Sequence, residues 1–241
     1  MSSKILLVIP TLNEFWNIQK IYKKIQSANK KINILFIDDN SIDGSKEIIV
    51  NLKKRNKKVN YIFRERKLGI GSAHKVGIKL AKKKNYRYIC TMDCDGTHDP
   101  RHIKKMLDKI KNSDLVISNR FLKKNSLKDW DIKRKIITKL RYYLIWLLLG
   151  TKLDGSGGFR LYDLKKIKLK DILESKDNNY NFFWQSAFLL EHKKYKISEI
   201  PIDLPVRVIG SSKMKFLDII SGVLNLIKFF IKYKILWKIY L

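Results

Sequence analysis

Between residues 92 and 100 the chain reads MDCDGTHDP. Asp93 and Asp95 are separated by one residue, so on an extended backbone both carboxylates point the same way. Oxygen donors of this kind suit a hard divalent cation, Mg2+ or Mn2+. Such an ion takes one or two carboxylates and fills its shell with water and phosphate oxygens. A cation held there would neutralise charge on a diphosphate leaving group. A D-x-D alone is weak, because aspartates are common in turns. Its weight comes from its position, directly after the apolar run YRYIC, and from similar groups elsewhere in the chain.

The elements that must position these carboxylates alternate in type. Apolar runs at 4–10, 33–39, 59–65, 86–93 and 114–120 read as strands. Helical patterns fall between them, from Glu14 to Ala28, Ser45 to Asn56, Gly69 to Lys84 and Pro100 to Lys111. Continuous apolar strands alternating with helices predict an α/β fold, with a mostly parallel sheet covered on both faces. Ligands of such sheets bind beyond the carboxyl ends of the strands. The segments Pro10–Glu14, Asp38–Ser41, Arg64–Gly71, Asp93–His98 and Asn119–Arg120 should therefore converge, and four of the five carry carboxylates. Gly69 and Gly71 form a G-x-G without the rest of the G-x-G-x-x-G spacing, which disfavours a dinucleotide site. His98 reads as a turn residue, and His74 and His102 read as surface residues.

The 241 residues suffice for one substantial domain. Lys and Arg total 52 against 22 Asp and Glu, a net charge of +30, which attracts polyanions, anionic lipid or phosphorylated ligands. No nucleic-acid-binding motif accompanies the charge, and strand-end aspartates would repel a phosphate backbone unless a metal were bound. Nucleic acid is therefore not an expected partner. Cys90 and Cys94 would lie about 13 Å apart on one strand, beyond disulfide reach, so reduced thiols are expected. Met1-Ser-Ser leads directly into KILLVIP, without the pattern of a signal peptide.

After Arg120 the character changes. Residues 120–152 hold ten basic residues against Asp129 and Asp131 and include YYLIWLLL, and DGSGGFRLYDL (154–164) has the glycine density of a close backbone approach. Residues 179–195 have helical periodicity, and 196–206 read as a strand with proline at its edge. The C-terminal stretch FLDIISGVLNLIKFFIKYKILWKIYL is apolar but interrupted by Lys228, Lys232, Lys234 and Lys238. Its pattern suits either an amphipathic helix in a membrane interface or a helix packed on the core.

The motifs VIPTLNE, IDDNSIDGS, LGIGSAHKVGI, MDCDGTHDP, SNRF, WDIKRKII, GGFRLY and VRVIGSSK occur in this order. Together they resemble the polyprenol-phosphate (dolichol-phosphate) mannosyltransferases, inverting enzymes of the large glycosyltransferase family 2 with the GT-A fold, a Rossmann-like sheet with helices on both faces. The resemblance covers residues 4–215, and its later motifs are the more specific ones. It implies a catalytic domain over 1–215 and an amphipathic membrane-interface segment over 216–241. It also implies roles for particular residues. Pro10, Leu12 and Glu14 match a loop that contacts base and ribose, with Leu12 in place of the usual aromatic. Ile37 and Asp39 match a motif whose second Asp reads the base and ribose, and Ala73 matches a small residue beside the nucleotide. Asp93, Cys94 and Asp95 match the D-x-D with its metal and diphosphate contacts. Thr97 is a further metal contact, where relatives often carry Gln or Ser. Arg120 and Arg134 match cations near the diphosphate or acceptor phosphate, and Arg207 and Lys213 match a loop that closes over the donor.

The implied reaction moves a sugar, mannose from GDP-mannose, to a polyprenyl or dolichyl phosphate, with Mg2+ or Mn2+. Asp95, Arg120 and Arg134 are the expected catalytic residues. Bringing two phosphorylated substrates together incurs repulsion that a metal and arginines must offset. The acceptor phosphate is already ionised, so it needs no general base. That fits Gln185, which stands where relatives often carry Glu. The implied location is cytoplasmic, peripheral on the cytosolic face of an anionic membrane, alone or with a small membrane-anchoring subunit. Two other acceptor and donor choices stay open: a glycan hydroxyl in surface-polysaccharide synthesis, and glucose in place of mannose.

Overall fold

In the computed structural model, which describes residues 5–207, 209 and 216–236, each of the five apolar runs forms a strand. These are β1 (Ile5–Thr11), β2 (Asn33–Asp38), β3 (Val59–Phe63), β4 (Tyr88–Thr91) and β5 (Leu115–Asn119). Helices α1 (Phe15–Ala28), α2 (Ser45–Arg55), α3 (Ile70–Lys83) and α4 (His102–Lys109) connect them. The second half contributes α5 (Ile132–Leu149), β6 (Arg160–Asp163), α6 (Leu169–Ile172), α7 (Asn181–His192), β7 (Ile197–Pro201) and α8 (Phe216–Phe230), which runs into a π-helical stretch, Ile231–Leu236.

The seven strands form one sheet in the order β3-β2-β1-β4-β6-β5-β7. All pairs are parallel except those of β6, which runs antiparallel between β4 and β5. Side chains alternate along β1: Ile5, Leu7 and Ile9 pack with Ile18, Ile21 and Ile25 of α1 and Ile103 and Met106 of α4. Leu6 and Val8 pack on the other face with Ala73 and Ile78 of α3 and Phe182 and Phe183 of α7. With both faces covered, the strands have no polar side, hence their unbroken apolar sequences. Each fully buried Leu or Ile contributes about 1.5–3 kcal/mol.

A third cluster joins Ile145 and Leu149 of α5, Trp184 and Phe188 of α7 and Leu226 of α8. Phe229 meets Trp184 edge-on at 5.1 Å. The C-terminal helix thus packs on the body through one face, while Ile220, Val223, Leu224 and Ile227 stay exposed. Among the described residues, no helix is long and apolar enough to cross a membrane. Cys90 and Cys94 are both free thiols and buried.

Candidate active site

The carboxyl ends of the parallel strands meet, and hydrogen bonds between the loops fix how. Thr11 at the end of β1 donates to Asp38 Oδ2 (2.8 Å), and Ser41 donates from its backbone to Oδ1 (2.8 Å) and from its hydroxyl to Oδ2 (2.6 Å). Asp38 is thus a fastener between β1 and β2. Its neighbour Asp39 pairs with Arg64 beyond β3 and accepts the backbone N–H groups of Leu68 (3.2 Å) and Gly69 (3.0 Å). Burial pushes the Asp39 carboxyl up, against the pull of Arg64. Gly69 has φ +91, and a Cβ there would stand 2.4 Å from the Asn178 carbonyl oxygen. Only glycine allows this approach of the α3 entry to the segment before α7.

The D-x-D lies just beyond β4. Asp93 Oδ1 is buried without a hydrogen-bond partner, and a Cβ on Gly158 would come within 3.1 Å of it. The Asp93 backbone N–H donates to His98 Nδ1 (3.1 Å), and the buried His98 ring stacks on Phe159 at 5.1 Å. His98 is therefore a support beneath the loop. Asp95 Oδ1 accepts from Thr97 N (3.0 Å) and Thr97 Oγ1 (2.7 Å), while Oδ2 accepts from Arg207 Nη2 (2.9 Å) and Nε (3.2 Å). Burial and the neighbouring charge of Asp95 push the Asp93 carboxyl up, with His98 opposing. Burial also works against ionisation of Asp95, but His98, the Thr97 hydrogen bonds and Arg207 together hold its carboxyl below the ordinary range.

These residues fit a hard divalent cation. The donors are carboxylate oxygens, and one of them, Asp93 Oδ1, is buried with no other partner. No group of three or more His, Cys, Asp or Glu suited to a metal occurs among the described residues. An ion held by Asp93 and Asp95 would complete its shell with water and phosphate, the habit of Mg2+. Thr97, expected as a metal contact, donates its hydroxyl to Asp95 and so orients that carboxylate. The Cys94 thiol faces the core, packed with Met92 and Phe159.

Three expected arginines stand around this pair. Arg120, directly after β5, grips Asp154 Oδ2 through Nε (2.7 Å) and its backbone N–H (3.2 Å). Arg134 lies in the first turn of α5, where Asp131 caps the helix by accepting the Arg134 N–H at 2.8 Å. Its guanidinium rests 3.7 Å from the centre of the Trp130 ring, a cation–π contact that leaves the planar fork available. Arg207 bridges Asp95 and Glu14, reaching Glu14 Oε1 at 3.3 Å. Lys213 lies outside the described residues.

The other expected donor-site residues line the same rim. Glu14 is buried and accepts from Asn17 Nδ2 at 2.6 Å. Pro10 and Leu12 are half-buried at the end of β1, while the side chains of Ile37 and Ala73 belong to the core beneath. Gln185 is buried on α7 and accepts from Ser175 Oγ at 2.7 Å. His74 corrects a sequence expectation. It is buried, not on the surface, and meets Phe183 edge-on at 5.0 Å, because α3 lies close against the sheet.

Two functional neighbours had no assigned role in the sequence. Arg160 of β6 is fully buried and donates to the carbonyls of Gly157 (2.9 Å), Gly155 (2.7 Å) and Phe183 (2.7 Å) and to Ser186 Oγ (3.0 Å). It moulds the 155–158 loop that backs Asp93. The signal was present in GGFRLY, as an arginine two residues after the glycine pair. Asp154 is the buried counter-charge of Arg120, and Ser156 Oγ donates to its Oδ1 at 2.9 Å.

A mostly parallel sheet with two neighbouring carboxylates at its rim and arginines opposite has the architecture of a GT-A-type glycosyltransferase. The family model described as glycosyl transferase family 2 matches residues 6–169, and the chain belongs to that family. Among curated relatives, an undecaprenyl-phosphate mannosyltransferase from Micrococcus luteus is 27% identical over 212 residues, covering 88% of this chain and 87% of the relative. A polyprenol monophosphomannose synthase from Mycolicibacterium smegmatis is 27% identical over 216 residues, covering 88% and 82%. Among solved structures, glucosyl-3-phosphoglycerate synthase from Mycobacterium tuberculosis in complex with Mn2+, UDP and phosphoglyceric acid superposes with a TM-score of 0.68. At 16% identity, covering 94% of this chain and 78% of that one, it shows the shared fold.

Proposed function

We propose that this chain transfers mannose, with inversion, from GDP-mannose to a polyprenyl or dolichyl phosphate. The observation that carries this reading is the grouping around Asp93 and Asp95 of arginines from three separate segments, Arg120, Arg134 and Arg207, whose charges act on those carboxylates. Two carboxylates suffice for one cation. Three arginines exceed what a diphosphate already neutralised by metal needs, and so suit a second phosphorylated substrate. The mannosyltransferase names of relatives matching 88% of the chain support the same substrate class.

In this reading Asp93 and Asp95 hold Mg2+ or Mn2+, which would neutralise the departing nucleotide diphosphate. The Asp93–Cys94–Asp95 segment runs beside the donor, its backbone at Cys94. Pro10, Leu12, Glu14 and Asp39 form the base and ribose side of the cleft, and Ile37 and Ala73, expected there, support it from the core beneath. Arg207, with Lys213, closes on the donor phosphates. Arg120 and Arg134 orient the acceptor phosphate, whose ionised oxygen attacks the anomeric carbon. No side chain has to remove a proton, and Gln185, engaged by Ser175, has no base to contribute.

The acceptor lies in a bilayer, and α5 and α8 offer a way to it. Ile136, Leu140, Tyr143 and Leu147 of α5, and Ile220, Leu224, Ile227 and Ile231 of α8 and its π-helical extension, are exposed apolar stripes. Lysines flank both. The reading is a catalytic domain over 1–215 with a membrane-interface segment over 216–241, peripheral on the cytosolic face, alone or with a small membrane-anchoring subunit.

The test is a panel of nucleotide sugars offered with a short polyprenyl phosphate, or with sugar hydroxyl acceptors, in Mg2+ or Mn2+. Formation of a lipid-phosphate-linked mannose from GDP-mannose is expected. Transfer only to a sugar hydroxyl would overturn the acceptor, and transfer only from another nucleotide sugar would overturn the donor.

A further inference from the structure

Helix α5 presents Thr138, Ile145 and Leu149 to the body of the protein, all buried. Arg141 lies on the same face, one turn beyond Thr138 and two turns beyond Arg134, and is half-buried. The next residue fixes the helix here: the Tyr142 ring lies 4.3 Å from that of Phe121, and its hydroxyl donates to the Lys152 carbonyl at 2.9 Å. Phe121 follows Arg120, and Lys152 precedes Asp154 by two residues. These contacts hold this turn of α5 beside the Arg120–Asp154 pair, and both of those charges act on Arg141.

Asp154 has no capacity left for another cation. Its Oδ2 accepts from Arg120 Nε and Arg120 N, and its Oδ1 accepts from Ser156 Oγ and Ser156 N. Among the described residues this one carboxylate therefore stands near two guanidiniums, Arg120 bonded to it and Arg141 not. Burial, with the repulsion of Arg120, pulls the Arg141 pKa down to about 10. Withdrawing an arginine from water without a bonded counter-ion is unfavourable unless another anion completes the arrangement. Arg120 is the common neighbour, since its charge is felt by both Arg134 and Arg141.

We propose that Arg141 is a third arginine on the acceptor phosphate, working with Arg120 and Arg134, and that it sets the preference for a phosphorylated over an unphosphorylated prenol. The inference rests on the lipid-phosphate acceptor proposed above. Its chemistry is charge-assisted hydrogen bonding from a planar fork to a phosphate monoester. Arg141 is a binding residue and takes no part in bond making.

Titration of the detergent-solubilised protein with farnesyl phosphate, with farnesol as control, tests it. Arg141→Ala should weaken farnesyl phosphate binding about tenfold or more, the scale of a lost charge-assisted pair. It should raise KM for the lipid more than it lowers kcat, and leave binding of GDP with Mn2+ unchanged. Arg141→Lys should recover part of the loss. Arg141→Gln gives the same neutral comparison should the alanine variant fold poorly. Equal binding by wild type and the neutral variants overturns the proposal and leaves the acceptor reading intact. Equal loss of GDP binding overturns it as well, by showing a structural role. If the wild type does not distinguish farnesyl phosphate from farnesol, the acceptor reading fails and this inference with it.

Discussion

Arg207 reaches across the cleft to Asp95 and lays two nitrogens on one oxygen, Nη2 at 2.9 Å and Nε at 3.2 Å from Oδ2. The partners are 112 residues apart in sequence. The guanidinium and a divalent cation therefore call on the same carboxylate, and the charge of Arg207 stands in for part of the metal's. In the proposed reading, substrate binding would draw Arg207 from Asp95 to the donor phosphates.

Arg207→Ala should then have opposite effects on two measurements. Mn2+ binding without nucleotide, followed by the electron paramagnetic resonance of the free ion, should tighten. Turnover should fall by about 10²–10³, the loss typical of one donor to a developing charge. Weaker Mn2+ binding in the variant would sink the competition.

Asp95→Asn removes the carboxylate that Thr97 and Arg207 orient. Sugar transfer should fall by about 10³ or more and not return at high Mn2+, since a metal-bound phosphate is worth several kcal/mol of transition-state stabilisation. Folding stability should change little, because a like-charge repulsion with Asp93 disappears together with the Arg207 pair. A chelator should silence the wild type to the same level. Full activity in the presence of chelator would exclude the metal role.

Arg160 offers a test of loop support. Four of its bonds go to carbonyls and a hydroxyl, and its face lies over the Phe183 ring at 5.4 Å. Arg160→Met leaves the Gly155 and Phe183 carbonyls short of a donor, at a cost of about 1–3 kcal/mol for each buried acceptor left unsatisfied. Urea denaturation should show a lower midpoint with an unchanged slope. A midpoint like the wild type's would mean that the 155–158 loop holds its own shape.

How much of this was legible before the fold was known differs by element. The five parallel strands were, because burial on both faces leaves no polar position to interrupt the run, and the D-x-D stood at the end of one of them. The strand β6 was not. RLYD is four residues long and half charged, and Arg160 and Asp163 are buried only because their partners arrive from elsewhere in the chain. Arg141 sits in KLRYY as one of ten basic residues between 120 and 152, and nothing local sets it apart until Phe121 and Lys152 are brought against its neighbour Tyr142. His74 was misread for a related reason: its burial depends on how closely α3 lies on the sheet. Local pattern reports which face of an element is apolar. It does not report which polar side chains the fold will match across long sequence separations.

His74 gives the pH dependence of stability a definite sign. Burial, aided by the charges of Arg160 and His98, drives its pKa from 6.5 down to about 3. Between these values the unfolded chain binds a proton that the folded protein excludes, so stability rises with pH across that window. It is fully present above about 6.5, the unfolded value, and falls as the pH drops toward 3. The loss reaches a few kcal/mol at most, at about 1.4 kcal/mol per unit. Urea midpoints at pH 7.5 and at pH 5 should therefore differ in the wild type and differ less in His74→Gln. Equal acid sensitivity in the variant would assign the effect to other groups.

The apolar stripes on α5 and α8 separate two forces that a bilayer offers. Ile136, Leu140, Tyr143 and Leu147 follow one another at helical spacing on the face opposite Thr138, Ile145 and Leu149, so insertion would not disturb the core. Burying a leucine contributes about 1.5–3 kcal/mol, and a nearby lysine contributes about 1 kcal/mol at an anionic surface. Only the lysine contribution is screened by salt. Co-sedimentation with phosphatidylglycerol vesicles should therefore weaken, but not vanish, when NaCl is raised to 0.5 M. Leu140→Glu with Leu147→Glu should lower vesicle binding about 100-fold or more at any salt. The same pair should leave the Mn2+ and GDP affinities of the soluble fraction unchanged. Vesicle binding that salt abolishes, and that the glutamates leave intact, would make the attachment purely electrostatic and leave the stripes without this role.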